Sequence, residues 1–484
     1  MSAAIPLRVT DVARTCAIIA VCALAAIAFG VLAAQGSPDA LITVGVVFFF
    51  AALAFALPLP WVALTLAALI PLQFYFPLGS ALNLRGAFVF VAVATVRVLI
   101  YRIAAKNLWS WHTWVIPAAI FMLAALVASF TAFNRYTALK GIYDWLPVLA
   151  SAFVIGEIVR SERLLRASVI VLILAGVAQA ALGLIEVMLG LGRVVDALQS
   201  PLAAIFFQPN LLRERLSDLS FNWVLDGNIV PFGTFINGID FAIFIAAILC
   251  LVLALLLGAR RRNEFVILLG IAVLLGVALL QTFKGSGLIA IACGVAIILA
   301  MYLPRWSRQT QLMIGLAVLG GILIALPFSD SLIQRIVFLV QRELGVRTET
   351  GRITIWMHLL AQLPQRPLFG FGLNNAVALV PILPSMFGGA FVFNLPAPES
   401  AYVAALIETG LVGFGALAFF FGVVLAQAYR ISNTLSPLLI GILAAIVAIL
   451  AWNVTVTGLT TDQNGILLGV LIGLTFAIPH WDQA

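Results

Sequence analysis

Three arginines, Arg342, Arg347 and Arg352, fall within eleven positions of the stretch RELGVRTETGRITIW, residues 342–356, and Arg335 stands just before them. Only 9% of the chain is Asp, Glu, Lys or Arg, so the cluster needs a reason. The guanidinium is a planar fork that donates two parallel hydrogen bonds to one phosphate. Several such groups at one membrane face suit a diphosphate whose tail stays in lipid. Attraction to anionic lipid headgroups would use the same charges without any geometry. Further along, PAPESAYVAALIETGLVG places Glu399 and Ser400 where a helix begins, directly after Pro398. A carboxylate there can cap the helix or take a proton from a hydroxyl. Glu408 follows nine residues on, about 13 Å along a helix, where a carboxylate is expected to face the bundle interior. A third feature is Lys284, the one cation in the short turn QTFKGSG between two apolar runs.

The elements that must position these groups are membrane helices. Hydrophobic residues make up 64% of the 484, where about half is usual in soluble domains. Apolar runs of roughly 20 residues recur, the length that crosses the hydrocarbon as a helix. We read an all-α polytopic membrane protein of about fourteen spans, near 13–34, 40–57, 60–76, 86–103, 112–130, 138–157, 167–190, 232–258, 264–280, 285–303, 311–327, 399–428, 435–453 and 463–479. The chain is then one integral membrane domain, 1–484. The first run is too long for a signal-peptide core and is expected to be retained as a span. Four cysteines inside apolar runs form no disulfide framework, and three histidines far apart show no metal-ligand spacing.

Alternate loops sort by charge. Arg8, Arg14, Arg97, Arg102, Lys106, Arg160, Arg163, Arg166, Arg260, Arg261, Arg262, Arg305, Arg308 and Arg430 share one side. The short loops of the other side hold Arg85, Arg135, Lys140 and Lys284. The positive-inside rule puts the first set and both termini in the cytoplasm. Two long loops, 191–231 and 328–398, become extracytoplasmic and carry Arg193, Arg213, Arg215, Arg335, Arg342, Arg347, Arg352 and Arg366. The arginine cluster is therefore on the wrong side to be a topology signal. The net charge of +7 reflects the cytoplasmic loops and gives no argument for nucleic acid.

The second loop has its own pattern. Ile355, Trp356, Leu359, Leu360 and Leu363 recur at helical spacing until Pro364, which predicts an amphipathic helix lying at the membrane surface. Pro367, Gly370 and Gly372 in RPLFGFGLNN then force a turn. Gly410, Gly413 and Gly415 read as close-packing positions in the next span.

Taken in order, these segments resemble the O-antigen ligase and polymerase superfamily (Wzy- and WaaL-like proteins). The hallmark is an arginine and tryptophan followed by Pro and a Gly-rich turn, here Arg352, Trp356, Pro367, Gly370 and Gly372. The span after the long loop opens with Glu399-Ser400, Tyr402 and Glu408-Thr409-Gly410, so glutamate stands where the family usually has histidine. FGTFINGIDFA, residues 232–242, is similar to the family's Gly-Thr-Phe segment, and QTFKGSG to its Thr-Phe-Ser-Arg-Gly turn, with Lys284 one position displaced from the usual arginine. NRYTALKG, residues 134–141, resembles a segment entering an earlier span.

The resemblance implies a membrane glycosyltransferase at the extracytoplasmic face of the bacterial inner membrane. The donor would be a glycan on undecaprenyl diphosphate, with no other cofactor, and the acceptor a sugar hydroxyl. On this reading Arg352 and Lys284 stabilise the diphosphate and Glu399 is the general base. Tyr402, Arg335, Arg342, Arg347, Arg215 and Asn237 are substrate-binding candidates. No metal is expected, since the first outer loop offers only the lone Asp39. Expected partners are the lipid-linked donor and acceptor, membrane lipids, a chain-length regulator and a flippase. A polymerase of repeat units is favoured over a ligase that moves finished polymer to lipid A core or protein. A flippase or transporter would instead place charge near the bilayer midplane, and Asp144, Glu186 and Asp240 are its candidates. A scaffold subunit of an export complex would need none of the three chemical residues together.

Overall fold

The computed structural model describes residues 38–72, 75–78, 82–104, 112–198, 224–225, 228–235, 237–303, 352–379, 398–433 and 436–477. The expected spans at 13–34 and 311–327, and Arg215, Arg335, Arg342 and Arg347, lie outside the described residues. In chain order the helices are α1 Pro38–Ala56, α2 Leu59–Leu69, α3 Gly86–Ala104, α4 Val115–Phe130, α5 Arg135–Ile158, α6 Glu162–Leu198, α7 Gly238–Gly258, α8 Arg262–Gln281 and α9 Gly285–Tyr302. After the second long loop come α10 Arg352–Gln362, α11 Ala376–Leu379, α12 Ala401–Ser432, α13 Pro437–Trp452 and α14 Asp462–Ala477. Two antiparallel hairpins join them, β1 Tyr75–Leu78 with β2 Leu82–Arg85 and β3 Val224–Leu225 with β4 Asn228–Ile229. Seven of the described helices are long and apolar enough to cross a membrane, and five apolar stretches are shorter. The protein is an all-α polytopic membrane protein.

Two boundaries differ from the sequence reading, each for a local reason. The span expected at 60–76 stops at Leu69, just before Pro71, and the chain enters the β1–β2 hairpin. Eleven residues rise about 16 Å, half the hydrocarbon thickness. The span expected to end at 190 resumes as helix to Leu198 beyond Gly190, whose φ of 75° and ψ of 169° lie in a region open essentially to glycine.

The described residues of Met1–Val115, Trp145–Ile245 and Thr460–Ala484 form one compact unit. Here α2 packs on α6, and α1 on α3. Arg97 of α3 donates to the carbonyls of Ala54 and Leu57 at 2.9 and 2.5 Å, satisfying acceptors that the end of α1 leaves open. An arginine that the charge pattern counts as a topology signal thus also closes a helix. Glu157 is buried against Arg102 at 3.1 Å and His112 at 3.2 Å. Gly469 and Gly473 let α14 approach Val148, Ser151 and Ile155 of α5, where a Cβ would collide with backbone and side chain.

The second unit comprises the described residues of Ile116–Asp144 and Ala246–Leu459. Its centre is α13, against which α9 and α12 pack. The contacts fix direction. Gly258, ending α7, meets Pro437 at the start of α13 and Tyr302 at the end of α9. Gly294, midway along α9, lies against Cys250 and the Ala444 carbonyl. So α9 and α13 run antiparallel, and Lys284 before α9 lies at the level where α13 finishes, near Trp452 and Asn453.

Candidate active site

Lys284 ends a three-residue turn between α8 and α9. Thr282 closes α8 by donating its hydroxyl to the Leu279 carbonyl at 2.6 Å, and that hydroxyl accepts from the Lys284 amide at 3.3 Å. Phe283 between them has φ of 49°. The Lys284 side chain is 6% exposed. Two local preferences are overridden here. A cation is unfavourable at the positive end of a helix dipole, and a bulky residue rarely adopts the left-handed region. Local conflicts of this kind concentrate at functional sites.

Glu399 stands at the same end of the unit. Pro398 precedes it, and the carbonyl of Pro398 accepts from the indole Nε1 of Trp356 at 2.9 Å. The sequence left Glu399 as either cap or base, and the cap is Ser400: its hydroxyl accepts from the Val403 amide at 3.4 Å. Glu399 has φ of 53°. Among the described residues the non-glycine positions with positive φ are Phe283, Asn374 and Glu399, all in the second unit. Each such residue costs on the order of 1–3 kcal/mol and persists only where its surroundings hold it.

The helix that follows is broken, and the break decides where Glu399 sits. Gly410 has φ of 66° and ψ of −170°. Measured up from the connection at 433–437, Gly410 lies about 33 Å along α12 and Asn453 about 24 Å along α13. Continued straight, Ala401 would stand about 47 Å up. Instead the Ala401 amide donates to the carbonyls of Asn453 and Val456, both at 3.0 Å, and Tyr402 donates its hydroxyl to the Leu450 carbonyl at 2.8 Å. Residues 401–409 therefore double back from Gly410 onto the end of α13. The span expected at 399–428 is two segments, of which only the part below Gly410 rises through the bundle.

The Gly-rich turn satisfies the backbone groups that the break exposes. The Phe371 and Gly372 amides donate to the carbonyls of Ile407 and Glu408 at 3.0 and 2.7 Å. The Leu411 and Val412 amides donate to Pro367 and Leu368 at 2.8 and 3.1 Å. Such closeness requires glycine. A Cβ on Gly370 would strike the Ile407 carbonyl, and one on Gly410 the Leu368 backbone. Gly415, by contrast, has open space around it, whereas a Cβ on Gly413 would strike the Thr409 side chain across the break, so close packing holds at Gly410 and Gly413 and not at Gly415.

The carboxylate of Glu408 accepts from the Ala376 amide at 3.1 Å, and it is buried as expected. Asn375 pairs with the backbone of Asn134, accepting from its amide at 2.8 Å and donating to its carbonyl at 3.2 Å. Arg366 donates to the Thr131 carbonyl and lies over the Phe371 ring at 5.1 Å. Helix α10, which begins at Arg352, packs on this turn. Ile355 and Leu359 bury against Phe371, Ala376 and Ile407. The stripe read as a membrane-facing surface is thus divided: Ile355 and Leu359 face protein with Leu363 packed against them, while Leu360 is exposed.

The structure therefore brings the Lys284 turn, the helix starting at Arg352, Glu399 and Tyr402 to one end of the second unit. Asn237 belongs to the other unit, where it caps α7. Its Oδ1 accepts from the Ile239 and Asp240 amides at 2.9 and 2.8 Å, and its Nδ2 donates to Asp240. Nearby in that unit Glu186 accepts from the Phe232 and Gly233 amides, both at 2.9 Å, and Thr234 and Gln463 both reach the Pro71 carbonyl. FGTFINGIDFA is thus held by buried polar side chains. Sequence reasoning missed Asn375 and the Asn134 pairing; two asparagines directly after Gly-x-Gly were the available signal.

Residues 270–418 match the family model described as O-antigen ligase. That stretch is similar to the O-antigen ligase family, in line with the resemblance read from the sequence. The match contains Lys284, Arg352, Glu399, Tyr402, Glu408 and the whole turn from Arg366 to Ala376, and omits Asn237. No curated protein matches the chain. The match supports a membrane enzyme of ligase or polymerase type.

Proposed function

We propose that the protein polymerises oligosaccharide repeat units carried on undecaprenyl diphosphate, at the extracytoplasmic face of the bacterial inner membrane. One observation carries this: the Lys284 turn, the Arg352 helix and Glu399 share one end of one compact unit. The acceptor hydroxyl attacks the anomeric carbon, the bond to the diphosphate oxygen breaks, and the glycan passes to the acceptor. Glu399 takes the hydroxyl proton. Arg352 and Lys284 stabilise the charge left on the diphosphate, a term that dominates many active sites. Tyr402 contributes its ring, because its hydroxyl is held by Leu450. No metal takes part in this reading, and a chain-length regulator and a flippase are its working partners.

A ligase reading is favoured by the description of the matched family. The glutamate at 399, where the family usually has histidine, favours the polymerase. For a transporter, Asp144, Glu186 and Asp240 should be available to cargo. Instead they accept hydrogen bonds from the Asn374 side chain, the Phe232 and Gly233 amides, and the Asn237 and Asn464 side chains.

The test is Glu399→Gln, Arg352→Lys and Lys284→Ala, each at normal membrane abundance. Loss of polymer with accumulation of single repeats is the expected result. Long unattached chains on the carrier would identify a ligase instead, and full synthesis by all three variants would end the assignment. Purified protein should transfer glycan in detergent without a gradient, and with EDTA present.

A further inference from the structure

Glu408 is buried and lies within the doubled-back segment at its Gly410 end, nine residues from Glu399. Asn375 is 2% exposed and directs its amide at the α4–α5 connection. Both act on one object, the turn from Arg366 to Ala376. That turn touches two of the elements that carry the proposed chemistry, the Arg352 helix and the segment leading to Glu399. Through Ile355 and Leu359 it seats α10, which starts at Arg352. Through four backbone hydrogen bonds it sets the break at Gly410, and with it the return path of residues 401–409 to Glu399. Asn374, with φ of 59°, adds a hydrogen bond from its Nδ2 to Asp144 at 3.2 Å, while Gly141 lies against Leu373 and Asn374.

We propose that Glu408 and Asn375 are positioning residues for glycan transfer. They clamp the turn between α12 and the α4–α5 connection, so that the Arg352 helix and Glu399 keep a fixed relation. Glu408 needs an acceptor oxygen for the Ala376 amide, not a charge. Asn375 needs both its acceptor and its donor, because it meets an amide and a carbonyl of Asn134 as one strand meets another. Neither touches substrate. Misplacing reacting groups by about 1 Å can lower turnover by about a hundredfold while leaving the binding elements whole. This inference rests on the reading of Glu399 and Arg352 as the chemical pair.

The experiment uses the full chain in detergent, with the undecaprenyl-diphosphate-linked glycan that accumulates in cells lacking it. Glu408→Gln keeps the acceptor and should hold kcat within about threefold, whereas Glu408→Leu and Asn375→Ala should lower kcat at least about tenfold with KM for the donor within about threefold. In a Glu399→Gln background, Asn375→Ala should add nothing further. Glu408→Gln failing as badly as Glu408→Leu would overturn the proposal. So would a raised KM with kcat intact, or full turnover by Asn375→Ala. If Glu408→Leu does not accumulate, Glu408→Gln and Asn375→Ala decide the matter. Full turnover by Glu399→Gln alone would sink the chemical reading and is a separate result.

Discussion

The indole nitrogen of Trp356 donates to the carbonyl of Pro398 at 2.9 Å, one residue before Glu399 and one helical turn after Arg352. It is a direct tie between the helix that begins at the arginine and the backbone that presents the carboxylate. Trp356→Phe keeps the ring and removes the donor. A net loss of about 1 kcal/mol is expected, typical for one such bond. Turnover should fall by more than stability does, measured as kcat beside the melting temperature in detergent.

Gly370 is pressed against the backbone of Ile407 and Glu408, and Gly410 against that of Leu368 and Phe369. Alanine at 410 must adopt a conformation open essentially to glycine and also displace the Leu368 carbonyl. Gly370→Ala and Gly410→Ala should lose several kcal/mol or fail to accumulate, by the usual scale of backbone strain joined to a broken hydrogen-bond set. Gly415→Ala, in open space within a helix, should be neutral or stabilising by up to about 1 kcal/mol. Membrane abundance of the three variants is the measurement.

Glu399→Asn separates strain from chemistry. Asparagine tolerates the left-handed backbone better than glutamate, so stability should hold or rise by up to about 1 kcal/mol. Loss of the carboxylate should abolish transfer. Ser400→Ala should do the opposite, removing the N-cap at a cost of about 1 kcal/mol while leaving measurable turnover. Melting curves and glycan ladders on the same preparations test both.

Lys284→Ala should lower kcat by about a hundredfold or more, the range for removing one preorganised donor at a developing anion. Lys284→Arg should recover much of it, because the charge is retained. Equal losses in both variants would assign the residue to packing of the α8–α9 turn.

The helical architecture was legible because membrane spans announce themselves through apolar length, and charge sorted their ends. Within the second unit the Lys284 turn and Glu399 do share an end, while Gly258, Tyr302 and Pro437 gather at the opposite one. Boundaries failed where a residue obeyed local backbone chemistry rather than hydropathy. Pro71 stopped α2, Gly190 bent α6, and Gly410 folded α12 back while the apolar pattern ran on through it. Candidate residues could be proposed from type and order, but the left-handed backbone at Phe283 and Glu399 has no signature in those residue types. The stripe on α10 was visible; that Ile355 and Leu359 meet Phe371 and Ile407 rather than lipid depends on a contact about 50 residues away, which periodicity does not encode.

The fold-back at Gly410 also insulates two parts of one sequence from each other. In an unbroken helix, adding or deleting a residue rotates everything beyond it by about 100°. Here the rotation stops at the glycine, because the chain on either side is anchored separately, above to Asn453 and below to the packing of α12 on α13. The residues between Ala401 and Ile407 can therefore change sequence without turning the membrane-buried face out of register, while Ile407 and Glu408 stay fixed on the Gly-rich turn.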